Sequence, residues 1–278
     1  MRRERVAEDI FVFTSDLYAQ VTASVILTDE GAIVIDTLPF PQEAAELKAF
    51  IKRYSRRGVR CVINSHHHAD HVYGNYLFPE AELVAHERCR KALLRDGQRN
   101  LDEAKAQTPE LSSVQLRIPD LVFDRGELII HLGGKSIIMT LAPGHTDDSI
   151  LIRAKENKVL FAADTVLPVP YIVFGDADAL IGSLQYIGGM AIDSIVQGHG
   201  EVLLRGEAST AIETSIQYLE TIQFQVREAI ENGRAKESIL NISIEECGKS
   251  RIPLNGLVQQ LHQANLMYLY DKFSAQNQ

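Results

Sequence analysis

The sequence predicts a mixed α/β body followed by a helical C-terminal extension. Short β-branched or aromatic runs alternate with longer helical patterns over most of the length. After about Leu204 that alternation stops, and only helical periodicity continues. No internal repeat and no linker rich in Pro or Ser divides the chain, and 278 residues suffice for one large domain or a domain with a small appendage. The expected division is a body over 1–207 and an extension over 208–278 packed on it.

The strand-like runs are, in order, Ile10–Thr14, Ser24–Thr28, Ala32–Ile35, Val59–Asn64 and Leu83–Ala85. Leu128–Leu132, Ser136–Leu141, Ile150–Arg153, Val159–Ala163 and Ser194–Gln197 follow. Asp29-Glu30-Gly31 is a hairpin turn signal between two of them. Pro41 opens a helix whose apolar positions Ala44, Leu47, Ile51 and Tyr54 recur every three or four residues, and Gly58 follows its end. Lys52, Arg53, Arg56 and Arg57 crowd its last turn, where cations complement the carbonyl end of a helix; an anion patch is the weaker reading. Further helical patterns cover Glu87–Arg95, Leu101–Leu111 and Ala177–Ile187, the last with Asp176 and Asp178 as capping residues. Ile212, Ile216, Leu219, Gln223, Val226 and Ile230 trace one face of a long helix ending before Gly233, and a final helix is expected from Leu254 to Phe273.

Charge narrows the function classes. Lys+Arg 28 against Asp+Glu 37 leaves a net charge of −9, a poor match for nucleic acid or an anionic membrane. The three Cys, at 61, 89 and 247, are too few and too scattered for a disulfide framework or a thiolate zinc site, and they suit a reducing compartment. Met1-Arg2-Arg3-Glu4-Arg5 leads into no apolar run, and no stretch approaches the roughly 18–20 apolar residues of a bilayer span. A cytoplasmic location is expected.

The nine His are unevenly placed. Val59–Asn64 runs into Ser65-His66-His67-His68-Ala69-Asp70-His71. Alternate side chains of an extended segment point the same way, so His66 and His68 are expected to converge on one ion. Asp70 and His71 fall where the chain must turn and can face a second ion. Downstream, His145 follows the strand Ser136–Leu141, Asp164 closes Val159–Ala163, and His199 follows Ser194–Gln197. Gly144 and Gly198 beside these histidines permit sharp turns. Imidazole and carboxylate without thiolate suit zinc first, with iron, manganese or nickel as other ions such donors accept. His67 is expected to point away from the ligands. His86 and His131 read as surface or hydrogen-bonded residues, and Cys89 and Cys247 as core or surface thiols.

His66-x-His68-x-Asp70-His71, then Gly144-His145, an apolar strand closing on Asp164, and Gly198-His199-Gly200 together resemble the metallo-β-lactamase superfamily, from Ala23 to about Gly200. The resemblance implies an αββα sandwich with the site at one edge of the sheets, and two divalent metal ions. It implies that His66, His68 and His145 hold the first ion, that Asp70, His71 and His199 hold the second, and that Asp164 bridges them. Asp70 would also orient the nucleophile, which makes it the catalytic residue.

Two such ions lower the pKa of a shared water from about 15.7 toward about 7, so the implied enzyme is a metal-dependent hydrolase using metal-bound hydroxide. The ligand set is most similar to glyoxalase II-type thioesterases and lactonases, which implies a small ester, thioester or lactone as substrate. The alternatives are a cyclic amide or a phosphodiester, and, in another class, a non-hydrolytic diiron redox or metal-sensing protein. The implied partner is a small molecule, with no nucleic acid and no membrane, and the last helix leaves room for a homodimer. Leu167–Asp178 reads as a substrate loop stiffened by Pro168 and Pro170. In it Tyr171 is either a substrate-binding hydroxyl aimed at a developing oxyanion or simply a packed aromatic. The final helix, with His262, Asn265, Tyr268 and Tyr270, is expected to wall the pocket.

Overall fold

Alternation along each strand decides which layer a side chain enters. The computed structural model describes residues 1–276. Its first sheet has seven strands in sequence order: β1 (Arg2–Ala7), β2 (Ile10–Thr14), β3 (Thr22–Thr28), β4 (Gly31–Ile35), β5 (Val59–Ile63), β6 (Glu82–His86) and β7 (Leu121–Phe123). In β4, Ile33 and Ile35 enter the layer between the sheets, while Ala32 and Val34 face the helix α1 (Pro41–Tyr54) with Leu47, Phe50 and Ile51.

The second sheet holds β8 (Glu127–Leu132), β9 (Lys135–Leu141), β10 (Ile150–Ala154), β11 (Val159–Ala163), β12 (Ser194–Gln197) and β13 (Val202–Leu204). Ile137, Met139, Ile150, Ile152, Phe161 and Val196 meet the first sheet in the central core. Its outer face, with Leu151, Leu160 and Ile195, packs against α5 (Ala177–Gly188), α6 (Arg205–Glu231) and α7 (Leu257–Gln276). The result is helix on sheet on sheet on helix, an αββα sandwich, and the C-terminal helices share a core with the second sheet.

Strand direction puts the functional ends together. β1 to β4 pair antiparallel and β4 to β7 parallel, while β11 and β12 are parallel across the α5 crossover. After β5 the chain bends through Ser65–His67 into the single turn α2 (Ala69–Val72). A long helix then runs as α3 (Glu87–Ala92), a π-helical turn over Leu93–Gly97, and α4 (Gln98–Gln107).

Several boundaries differ from the sequence reading. β1, β7 and β13 were not expected, and each lies at the edge of a sheet. The helix expected to Leu111 stops at Gln107, because Thr108 precedes Pro109 and takes an extended conformation. The last helix begins at Leu257 rather than Leu254: Leu254, Asn255 and Gly256 all have positive φ (54°, 55° and 88°) and turn the chain first. Among the described residues no helix is long and apolar enough to cross a membrane.

Candidate metal centre

His66 and His68 do meet, but not as alternate residues of a strand. β5 ends at Ile63, and the bend that follows sets the two rings 4.6 Å apart between centroids. His68 caps the start of α2, which carries Asp70 and His71 on its first turn. His145 comes from the loop between β9 and β10, Asp164 from the end of β11, and His199 from the end of β12. The ligand atoms fall into two groups, each within 4.8 Å of one another: His66, His68, His145 and Asp164, and then Asp70, His71 and His199.

Asp164 touches both groups. Its Oδ2 lies 3.3 Å from His145 Nε2 and 4.0 Å from His66 Nε2. Its Oδ1 lies 3.3 Å from His71 Nε2 and 3.6 Å from His199 Nε2. Asp70 Oδ2 is 3.2 Å from His199 Nε2 and 3.7 Å from His71 Nε2. Gly198 makes room for the shared carboxylate, since a Cβ there would stand 1.8 Å from Asp164 Oδ1. Ala163, just before Asp164, has φ +43°, a conformation Ala seldom adopts outside functional sites.

Outer contacts fix the tautomers. His71 Nδ1–H donates to Asp36 Oδ2 at 2.8 Å, His145 Nδ1–H to the Tyr171 carbonyl at 2.9 Å, and His199 Nδ1–H to the Ala19 carbonyl at 2.9 Å. Ser65 Oγ donates to Asp36 at 2.7 Å and so accepts from His66 Nδ1 at 3.0 Å. With Nδ1 engaged in this way, Nε2 is the ring atom left facing the cluster in all four, and His145 Nε2 also meets His68 Nδ1 at 3.0 Å. Buried His66 Nε2, His71 Nε2 and Asp164 Oδ1 have no hydrogen-bond partner. Orphaned buried polar atoms of this kind are rare, and divalent cations held by the two groups would satisfy all three.

Charge supports the same fit. Burial, reinforced by neighbouring imidazoles, drives His66 well below its usual range and His68 to about 3; burial also lowers His145. These three rings are neutral and offer lone pairs. In the second group burial opposes protonation, but Asp164 and Asp70 outweigh it and lift His199 to about 10. Asp70, Asp164 and Asp36 lift His71 in the same way. Burial pushes Asp70 up, yet His71 and His199 hold it at about 2, and His199, His71 and His145 hold Asp164 well below the usual carboxylate range. The carboxylates thus draw positive charge to this spot, which is what a cation supplies.

The cluster floors a cleft of about 620 Å³. Leu93, Leu167, Phe174, Leu254, Leu257 and Leu261 form apolar walls, and Arg95, Asp96 and Asn100 come from the π-helical turn and α4. Tyr171 stands in the wall, and burial raises its pKa, so its hydroxyl keeps its proton. His67 belongs to neither group, as expected. Its Nδ1 binds buried Asp148 at 2.8 Å, and the residue lines the cleft.

The C-terminal helix walls the cleft with different residues from those expected. Leu257 and Leu261 face it, together with Leu254 before the helix. His262 is buried between the Tyr218 hydroxyl and the Ile242 carbonyl, and Tyr270 donates to the Arg234 carbonyl. Asn265 and Tyr268 hold the Leu167–Asp178 segment from behind. Asp176 caps α5 as expected, accepting from the Ala179 amide at 2.9 Å. Cys61, Cys89 and Cys247 are all free and buried. Sequence reasoning missed Asp36, although it too closes an apolar strand, the feature that singled out Asp164. Its φ of +55° aims its carboxylate at Ser65 and His71 together.

A model of the family described as "Metallo-beta-lactamase superfamily" matches residues 18–207, which include every candidate ligand named above. The chain is 25% identical over 203 residues to "Acyl-coenzyme A thioesterase MBLAC2" of Bos taurus, covering 65% of this chain and 70% of that one. It is 28% identical over 127 residues to "Hydroxyacylglutathione hydrolase" of Rhodopseudomonas palustris (strain BisB5), covering 46% of this chain and 41% of that one. The chain thus spans less than half the length of two curated relatives that it matches, 41% of this one and 37% of another. The solved structure of the stereoselective inverting sec-alkylsulfatase Pisa1 from Pseudomonas sp. superposes with a TM-score of 0.74 at 15% identity, covering 98% of this chain and 50% of that one. That likeness is one of fold.

Proposed function

Since the chain belongs to the metallo-β-lactamase superfamily, we propose that it is a dinuclear metal-dependent hydrolase cleaving a small ester, thioester or lactone. One observation carries the reading: Asp164 offers one carboxylate oxygen to each of two adjoining imidazole groups. His66, His68 and His145 would hold one divalent cation, Asp70, His71 and His199 the other. Bound there, the cations would supply Lewis acidity and an acidified water.

The chain's own residues do the rest. Asp70 Oδ2, beside His199, accepts a hydrogen bond from the attacking water and orients it. The protonated Tyr171 hydroxyl donates to the oxyanion that develops on the carbonyl oxygen of the acyl group. Leu93, Phe174, Leu257 and Leu261 exclude bulk water and seat an apolar acyl part. The printed names of two relatives, an acyl-coenzyme A thioesterase and a hydroxyacylglutathione hydrolase, favour thioesters within this class. Zinc is the proposed metal and the cytoplasm the proposed location; three free, buried thiols agree with a reducing compartment.

The test is elemental analysis of the purified protein, followed by a panel of thioesters, lactones, aryl esters, a β-lactam and a phosphodiester with metal-loaded protein. Two equivalents of metal and chelator-sensitive turnover of an ester, thioester or lactone are expected. Full turnover by rigorously metal-free protein, or preference for the phosphodiester, overturns the reading.

A further inference from the structure

One face of α7 grips the substrate loop at successive points. Asn265 Nδ2 donates to the Pro170 carbonyl at 2.7 Å, and Asn265 Oδ1 accepts from the Ile172 amide at 3.0 Å. Its carboxamide therefore brackets Tyr171, as a neighbouring peptide group would in a sheet. Tyr268 Oη donates to the Gly175 carbonyl at 2.9 Å, and Lys272 Nζ reaches Asp176 at 2.7 Å. Residues 265, 268 and 272 stand at i, i+3 and i+7, a single helical stripe. Asn265 is fully buried and also bonds the Tyr218 hydroxyl at 3.2 Å. The peptide that Asn265 brackets presents the carbonyl that accepts His145 Nδ1–H.

We propose that Asn265 is a positioning residue of the metal centre: by fixing residues 170–172 from the C-terminal helix, it sets the Tyr171 carbonyl that orients His145. The proposal rests on the metal reading above. It assigns to the C-terminal extension a part in metal binding that its distance along the chain from every ligand conceals. Without the Asn265 carboxamide the Pro170 carbonyl and the Ile172 amide lose their partner and that segment can shift, and a misplaced outer contact characteristically lowers metal affinity by about 10- to 100-fold. The second ion's ligands touch neither Asn265 nor the Tyr171 carbonyl, so the loss falls on one ion.

Asn265→Ala and Tyr270→Phe are compared with the unaltered protein by competitive zinc titration against a chromophoric chelator, with thermal unfolding alongside. Tyr270→Phe removes a hydrogen bond from the same helix to the Arg234 carbonyl, away from the loop. Two zinc ions bound to the unaltered protein support the metal reading; no zinc bound overturns that reading, and this proposal with it. With zinc bound, the expected result is one ion weakened at least tenfold in Asn265→Ala and both unchanged in Tyr270→Phe. Unaltered affinity in folded Asn265→Ala, or equal loss in both variants, overturns the role of Asn265. If Asn265→Ala does not fold, Asn265→Asp, which keeps the acceptor for Ile172 and loses the donor to Pro170, is read in the same titration. Unaltered affinity there likewise overturns it.

Discussion

Gly198 lies so close to Asp164 that a Cβ at position 198 would stand 1.8 Å from the carboxylate Oδ1 and 2.7 Å from the Ala163 carbonyl carbon. Neither neighbour is the free end of a flexible side chain. Gly198→Ala must therefore displace the carboxylate that faces both groups. Titration of the variant should show both ions weakened, by at least tenfold, while the helical content read by circular dichroism is kept. An unchanged pair of affinities would show that Asp164 is not shared.

Asp36 accepts three hydrogen bonds, from the Ser65 amide and hydroxyl and from His71 Nδ1. Asp36→Asn exchanges one acceptor oxygen for a donor, and one of these contacts must then turn repulsive. Metal affinity is expected to fall by about 10- to 100-fold, with His71 the first ligand loosened. Isothermal titration with zinc measures it.

Metal removal should also cost stability. At free metal 100-fold above Kd, one bound ion contributes about 2.7 kcal/mol. At about 2–4 °C per kcal/mol this corresponds to roughly 5–10 °C in Tm for each ion. Thermal unfolding with and without chelator tests it, and a Tm indifferent to chelator would count against a folded-state metal site.

Lys249 supplies a pH dependence unconnected with the site. Its ammonium donates to Thr214 Oγ1 and Ser215 Oγ, and burial lowers its pKa to about 8. The unfolded chain keeps this lysine at about 10.4, so between those values the unfolded state binds more protons and stability rises with pH. The Tm of the unaltered protein relative to Lys249→Met should increase from pH 7 to pH 10. A difference that stays constant, or shrinks, contradicts the assignment.

Much of this was legible in the sequence because ligands at strand ends leave a local mark: an apolar run, then Asp or Gly-His. The central strands were legible for a related reason. Runs such as Ala32–Ile35 are buried on both faces and so are apolar throughout. The edges were not. β1 reads Arg-Arg-Glu-Arg-Val-Ala and is mostly exposed, while β7 and β13 are three residues each. Charge and shortness keep an edge from pairing with another chain, and they also erase the pattern by which a strand is recognised. The roles of His67 and Asn265 were hidden for another reason, since both depend on partners distant in sequence, Asp148 and the Pro170–Ile172 backbone.

The stripe on α7 carries a consequence for how this protein can change. Leu257 and Leu261 face the cleft about two turns and one turn before Asn265 on the same rigid rod. A mutation that tilts or rotates that rod to admit a bulkier substrate also moves the clasp on Tyr171. Adaptation to a new substrate through this wall is therefore constrained: variants that keep their metal will be those that trim or lengthen side chains at 257 and 261 without shifting the helix axis.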